Sequence, residues 1–517
     1  MTKSQKFAAK PVERKYFSTG GDFLLPIISG GHAAYQDTFL SDFLKFYSDP
    51  FSLSKDTWNT IIQFWHLDLS STDSLLIESY GRRGPSPRIP SCILRSYLLS
   101  LKLKVTSITR WVAMMRECPL YAILSGFSFG DTPGVGTFYD FFDRLWLFDS
   151  NNLSNHERYK TKKTKKGKKK GDKTPTNTQT ISSRLLPFLE RNPIMPNHAF
   201  SLIFRLYKSQ FLDHSCDLGL INPTKLSLAG DGTAVKTASF TRSKTLCKCR
   251  EQGILNCNCK RYFSQPDTNT GWDSSRECYF NGYHLFMFVA SDSFNDLPVF
   301  PMLERASRHD MLSFLHSFFS MKSYLPEFKV EKLLLDSAMD AIPVYDYCKR
   351  VGITPFIDLK KTNNGNYKYK DTFTIDSDGV PLCLLGLRMS HDGIDYKRKR
   401  CKFRCPKANH KKGCFCESPC SPAKYGRTVY TQLKDNPRIF NIPPRDSKEW
   451  KKEYDRRTSV ERSNKREKQD YKLEGGKHRS SKMWYCRLYG IMMLQHLDAW
   501  KMPLVETFQE LITKHPA

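Results

Sequence analysis

No apolar run in the 517-residue chain approaches the ~18 residues of a membrane span. The first residues, MTKSQKFAAKPVERKYF, lack the apolar core of a signal peptide. Together these absences predict a soluble intracellular protein with no membrane partner. Acidic side chains are scarce: 52 Asp and Glu stand against 81 Lys and Arg, a formal charge of +29. Such a charge disfavours a compact chain unless a polyanion offsets it. Nucleic acid is therefore the first partner to expect, and an anionic membrane surface the second. An even spread of cysteines is also missing. Nine of the 16 fall in two short clusters and the other seven are scattered. That distribution argues against a disulfide framework and for a reduced compartment with metal-binding clusters.

Apolar residues make up 39% of the chain and aromatic residues 13%. Most of the chain should therefore fold, and its 517 residues are enough for two to four domains. Residues 1–150 read as mainly helical. The segment 91-SCILRSYLLSLKLKVTSITRWVAMM-115 has mixed i+3 and i+4 apolar spacing, with Thr106 or Ser107 able to cap a second helix. Short basic helices with tight turns suit a helix-turn-helix DNA reader, and equally an all-helical packing domain. A linker follows at 151–180. Its core, 158-RYKTKKTKKGKKKGDK-173, has nine lysines and no aliphatic residue, so it can touch phosphates but bury nothing. Residues 181–220 read as a helical connector.

From 221 to 361 the pattern becomes three strands, helix, strand, helix, strand, which predicts a mixed α/β sheet with an antiparallel opening and parallel later strands. Residues 362–445 read as a β-rich, cysteine-rich insertion, with VPLCLLGLRMS strand-like. Residues 446–517 read as closing helices. Two aspartates end apolar strands: Asp231 in LSLAGDG and Asp336 in LLLDSAMD. A carboxylate at the end of a buried strand is costly unless paired. Adjacent strand ends can bring two together, and a cation between them would relieve their repulsion. Mg²⁺ or Mn²⁺ suits such hard oxygens. Taken singly, Asp231 also reads as a turn residue and Asp336 as a helix cap. Asp340 is the reserve acid; Asp292, Asp296 and Asp358 read as cap or turn residues.

The stretch 454-YDRRTSVERSNKREK-468 supplies a third acid. On an α-helix at about 100° per residue, Arg457, Glu461 and Lys468 lie within about 60° of Tyr454. One acid, two cations and a phenol would then share one stripe. The plainer reading is a solvated helix with pairs such as Arg457–Glu461, each worth about 0.3 kcal/mol. Arg456, Arg462, Lys465, Arg466 and Glu467 keep that reading.

These residues resemble an insertion-sequence DDE transposase with a ribonuclease-H-like core, in the group marked by a Y-(2)-R-(3)-E-(6)-K signature. Tyr454, Arg457, Glu461 and Lys468 keep every spacing of it. Asp231 in AGDGT, the strand GYHLFMFV and Asp336 in LLLDSAMD match the other marks in order. The resemblance covers roughly 221–500 and extends more weakly to 88–146. It implies a ribonuclease-H-like mixed sheet with flanking helices, interrupted by the β-rich insertion. It also implies catalytic Asp231, Asp336 and Glu461 on two divalent ions, with Tyr454, Arg457 and Lys468 gripping DNA phosphate. The expected activity is cut-and-paste transposition: cleavage at transposon ends, then strand transfer of the 3′-OH. The expected partner is double-stranded DNA, bound by a homodimer on paired ends in the bacterial cytoplasm at the nucleoid. A non-catalytic or domesticated zinc-containing DNA-binding protein, or a nuclease without strand transfer, are the rival readings.

The cysteine clusters and the lysine tract are not part of that signature. In 247-CKCREQGILNCNC-259, Cys247, Cys249, Cys257 and Cys259 form two C-x-C pairs that could close a tetrahedral zinc site across a hairpin. In 401-CKFRCPKANHKKGCFCESPC-420, Cys405, Cys414, Cys416 and Cys420 are the chosen set, with Cys401 and His410 as further donors.

Overall fold

The structure is a computed structural model, and it describes residues 31–47, 53–80, 86–147, 157–159, 180–240, 244–255, 257, 259–360, 367–369, 373–409, 413–414, 416–502 and 510. Its centre is a mixed sheet. The strands are β1 (Leu226–Lys236), β2 (Asn269–Asp273), β3 (Cys278–Ala290), β4 (Leu297–Arg305), β5 (Val330–Leu335) and β6 (Thr354–Ile357). β2 and β4 pair with successive stretches of one edge of β3, and β3, β1, β5 and β6 then follow across the sheet. The β3 pairings are antiparallel, while β1–β5 and β5–β6 are parallel. The predicted antiparallel opening and parallel continuation are therefore present, and β2 is an added hairpin arm.

Six helices position the site: α1 (Pro90–Lys102), α2 (Asp310–Tyr324), α3 (Ile342–Val351), α4 (Lys448–Asp455), α5 (Thr458–Lys465) and α6 (Ser481–Ala499). Helices cover both faces of the sheet, which explains why β1 begins as a continuous buried run instead of alternating. On one face Phe314 and Phe318 of α2 pack against Phe288 of β3. β1 can lie beneath those rings only if its residues on that face are small. A Cβ on Gly232 would stand 2.1 Å from Nε2 of His284. Asp231 and Thr233 point to the opposite face, where α5 lies. Ser459, Val460 and Ser463 are fully buried there, and two of the three are small enough to let the helix approach closely.

α1 is buried along nearly its whole length. It crosses α6 at Gly490, where a Cβ would stand 2.5 Å from Leu101. The next helix, Ile108–Glu117, is capped by Ser107 and leaves Arg110 and Arg116 exposed. One continuous apolar core runs from Tyr35 to Ala499. The chain on both sides of the boundary drawn near residue 150 thus contributes to one shared core. The connector is helical at Ile181–Arg191 and Ser201–Tyr207. Most of the lysine tract lies outside the described residues, but Glu157–Tyr159 forms a strand against Lys260–Tyr262 of the cysteine hairpin.

The insertion has a three-stranded sheet, Ser390–Asp395, Arg400–Arg404 and Thr428–Gln432. Its small core contains Val380, Met389, Cys401, Phe403 and Val429. The strand expected over VPLCLLGLRMS is reduced to Pro381–Leu382. A turn closed by the Cys383 amide on the Leu387 carbonyl follows and leaves Leu384 and Leu385 exposed.

The single helix expected over 454–468 is interrupted. A turn at Arg456–Arg457 separates α4 from α5, and a π-turn, Arg466–Asp470, ends the segment. Thr458 contributes to the first break, because its hydroxyl donates to the Asp455 carbonyl at 2.8 Å and competes with helical bonding.

Gly232→Ala tests the close packing of β1 under His284. It should lower stability by about 1–3 kcal/mol, the usual cost of overpacking, read as a lower urea midpoint. Combining it with His284→Ala should recover most of the loss.

Candidate functional site

The last paired residues of β1 and β5 are Gly230 and Leu335. Asp231 comes next within β1 and Asp336 directly after the end of β5, so they stand level on adjacent parallel chains and share a face. Each is aimed by a local bond. Asp231 Oδ1 accepts from the Gly232 amide at 2.8 Å, and Asp336 Oδ1 from the Ser337 amide at 2.6 Å. Asp336 therefore does cap the short turn that follows it, as its plainer reading expected.

Glu461 projects from α5 with 51% of its side chain exposed, and Arg457 pairs with it at 2.8 Å. The three acids share one electrostatic environment. Burial pushes the Asp231 carboxyl up to about 7; the Gly232 amide and Arg457 oppose the rise, and Asp336 and Glu461 add to it. Carboxylates gathered this way hold a shared proton or a cation more readily than three separate charges.

Tyr454 stacks on Trp450 with ring centroids 4.9 Å apart, and the Arg457 guanidinium lies 5.8 Å from the Tyr454 ring. Burial raises the Tyr454 phenol to about 12. Tyr454, Arg457 and Glu461 thus come together despite the break in the helix. Lys468 sits apart from them on the π-turn. Its ammonium donates to Thr233 Oγ1 and the Ala234 carbonyl, both at 2.5 Å, just beyond Asp231 on β1. Burial lowers its pKa.

The reserve acid Asp340 is buried and takes a two-pronged pair from Arg438 at 2.5 and 2.7 Å, which anchors the insertion to the core. Asp296 is held the same way by Arg462, and Asp358 bonds the Leu359 amide at 2.9 Å. Burial raises Asp292. The plainer reading of the remaining charges fails at Glu467, which is fully buried and pushed by that burial up to about 7. Its Oε1 accepts from Gln495 at 3.3 Å, while Oε2 has no hydrogen-bond partner among the described residues. The π-turn shifts the helical phase here, and no charge count could reveal it.

Cys247, Cys249, Cys257 and Cys259 have ligand atoms that all lie within 4.8 Å of one another. Among the described residues this is the one group of three or more metal-type ligands so close, and the acid set is looser. The Sγ atoms of Cys247 and Cys257 are 3.4 Å apart, and those of Cys249 and Cys259 3.5 Å. Tetrahedral thiolates at about 2.3 Å from a zinc ion would stand roughly 3.8 Å apart, so these four could hold a metal ion with little movement. In the second cluster Cys401 is a buried core residue beside the Asn441 carbonyl, and burial pushes its thiol up to about 12. Cys405 is buried, and Cys416 and Cys420 are partly exposed. The Cys414 side chain and His410 lie outside the described residues.

No helix among the described residues is long and apolar enough to cross a membrane. No protein-family model matches the chain, and no curated protein matches it in sequence.

Two measurements follow. Glu467 has its folded pKa raised above the unfolded value of ~4.3, so the native state binds the extra proton and stability falls as pH rises from ~4.3 towards 7. Glu467→Gln should flatten that part of the stability-against-pH curve and raise the melting temperature at pH 8. An unchanged slope would mean that Glu467 is ionised in the native protein. Metal analysis of chelator-free protein should find zinc that is lost in Cys249→Ser together with Cys259→Ser.

Proposed function

We propose that the chain is a DDE-type DNA transposase that cleaves transposon ends and transfers the freed 3′-OH into target DNA. The observation that carries the reading is the set Asp231, Asp336 and Glu461. They come from two adjacent strands and a helix, and both other acids raise the Asp231 carboxyl. The strand order supports a ribonuclease-H-like core, with β1 flanked by an antiparallel and a parallel neighbour. The excess of 29 positive charges supports a DNA partner.

The acid set fits divalent ions on its own chemistry. It offers hard oxygen donors, and a cation would offset the burial that lifts Asp231 and the added push of Asp336 and Glu461. Asp231, Asp336 and Glu461 would hold Mg²⁺ or Mn²⁺, which when bound supplies an activated oxygen nucleophile and stabilises the leaving 3′ oxygen. The chain's own residues do the positioning. Arg457 reaches Glu461 at 2.8 Å and carries a planar fork suited to phosphate oxygens. Tyr454, braced by Trp450, lines the same side. Lys468 ties the helical segment to β1 and places positive charge beyond Asp231. A homodimer on paired ends and structural zinc in the thiol hairpin complete the reading.

Purified protein is tested with Mg²⁺ and DNA carrying the element's ends. Asp231→Ala, Asp336→Ala and Glu461→Ala should each abolish cleavage while keeping end binding, and strand transfer by Asp336→Ala would refute the assignment. Arg457→Ala should weaken end binding or cleavage by about 10-fold or more, the scale of a lost charged hydrogen bond. Cleavage without joining by the wild type would make the protein a nuclease.

A further inference from the structure

Arg95 lies in α1 with 1% of its surface exposed, yet its charge has no ion-pair partner among the described residues. Buried charges in proteins are ordinarily paired. Arg95 Nη2 donates to the Leu67 carbonyl at 2.9 Å, while Nε and Nη1 are buried with no hydrogen-bond partner among those residues. The Tyr35 ring lies 3.5 Å from the guanidinium carbon. Its face attracts the cation, whereas the N–H bonds point outward in the guanidinium plane. Nearby groups do not supply the counter-charge. Asp73 is turned to Ser91: its Oδ1 accepts from the amide at 2.7 Å and its Oδ2 from the hydroxyl at 2.8 Å. Asp68 is exposed to water and accepts from the Ser70 amide at 2.8 Å. Both act on Arg95 only from beyond ion-pair distance. Burial raises the Cys92 thiol, so it stays neutral.

Arg95 lines a cavity of about 120 Å³ together with Gly31, His32, Ala34, Thr38 and Ser70. Gly31, Ala34 and Thr38 are exposed and mark its mouth, while Arg95 is buried at its floor. The space is about four times the ~30 Å³ that a water molecule occupies in the liquid. His32 Nδ1 is likewise buried without a hydrogen-bond partner among the described residues. The helix His32–Phe46 begins here, and its N-cap, Gly31, has no side chain to cap the first amides. Such an end presents N–H groups and a partial positive charge. Water would satisfy these donors but not the buried charge, and an anion satisfies both. A phosphate offers an acceptor oxygen to the guanidinium, the imidazole and the helix amides together, which the two oxygens of a carboxylate do not. We infer that this cavity binds a phosphate group, with Arg95 as its charged anchor and His32 and the Gly31 end of the helix as further donors. The narrow space suits free phosphate or a terminal phosphate, because a phosphodiester inside a duplex carries a sugar on each side. The inference is independent of the acid set and of the transposase reading.

Full-length wild type, Arg95→Met and His32→Ala are titrated with inorganic phosphate by calorimetry, and melted with and without it at matched ionic strength. Wild type should bind phosphate and melt higher in its presence, because a ligand held only by the folded state stabilises it. Arg95→Met keeps most of the side chain's bulk and removes the charge. It should bind phosphate about 100-fold more weakly, the scale of a lost buried charge contact, and melt no lower than wild type in phosphate-free buffer. His32→Ala, at a partly exposed position, should bind about 10-fold more weakly, the scale of a lost charged hydrogen bond. It carries the test if Arg95→Met does not fold. Wild type that binds no phosphate overturns the inference. So does a melting shift that both variants keep in full, which would be the general effect of the salt. A 5′-phosphorylated oligonucleotide is then used as competitor beside its unphosphorylated counterpart. Displacement of phosphate by the first alone assigns the bound group to a nucleic-acid end, and displacement by neither assigns it to free phosphate. Equal displacement by both would make the site a general polyanion surface and overturn the inference.

Discussion

The parallel pairing of Leu226–Lys236 with Val330–Leu335 is the constraint on which the rest depends. Its register, ending at Gly230 opposite Leu335, sets Asp231 and Asp336 level and on one face. A shift of one residue would turn one carboxylate into the packed face beneath Phe288 and separate the pair. The register is therefore strongly specified by burial. On that packed face the chain runs small, with Gly230, Gly232 and Ala234, because aromatic and imidazole rings of the neighbouring strand lie over it. The glycines beside Asp231 are consequences of the sheet's covering, and they explain AGDGT without appeal to a turn.

Glu461 reaches the same site from residues more than a hundred positions further along the chain, so its placement needs separate support. Buried Val460 and two buried serines seat α5 on the sheet. Arg462 and Arg466 tie it to the turn after β3, and Lys468 ties the following π-turn to β1. Three cations read as solvent charges or phosphate grips thus also work as fasteners. Asp340 and Arg438 do the same for the insertion, where a buried pair must stay intact because either partner alone would be an uncompensated charge. Ion pairing here serves placement more than stability.

That division explains what was legible in the sequence. An apolar run followed by an acid is a local pattern, and it picked out Asp336, which follows the end of its strand; it also picked out Asp231, which is not a strand end, because β1 continues to Lys236 along β3. The order of strands and helices was readable for the same reason. The course of 454–470 was not, because the turn at Arg456–Arg457 and the π-turn depend on a side-chain bond from Thr458 and on packing against β1 and α6. Their phase shift buries Glu467 and sends Lys468 to Thr233, neither of which a constant 100° step predicts. Leu384 and Leu385 misled through composition alone: apolar residues in a tight turn carry no signal of their exposure. The strand Glu157–Tyr159 was hidden because its partner lies about a hundred residues away.

Charge is distributed so that opposite signs do not simply cancel. The chain carries 29 excess positive charges, yet the Asp231 carboxyl is raised, chiefly by burial, with Asp336 and Glu461 adding to the rise. A protein selected only for stability would neutralise Asp231 or pair it with a buried cation, as it does Asp340. Arg457 is the nearest such cation, and it pairs with exposed Glu461 while Asp231 stays raised. The structure therefore keeps a buried carboxyl with a raised pKa in a chain of strongly positive net charge. The proposed DNA partner, bound together with divalent ions, would answer both features.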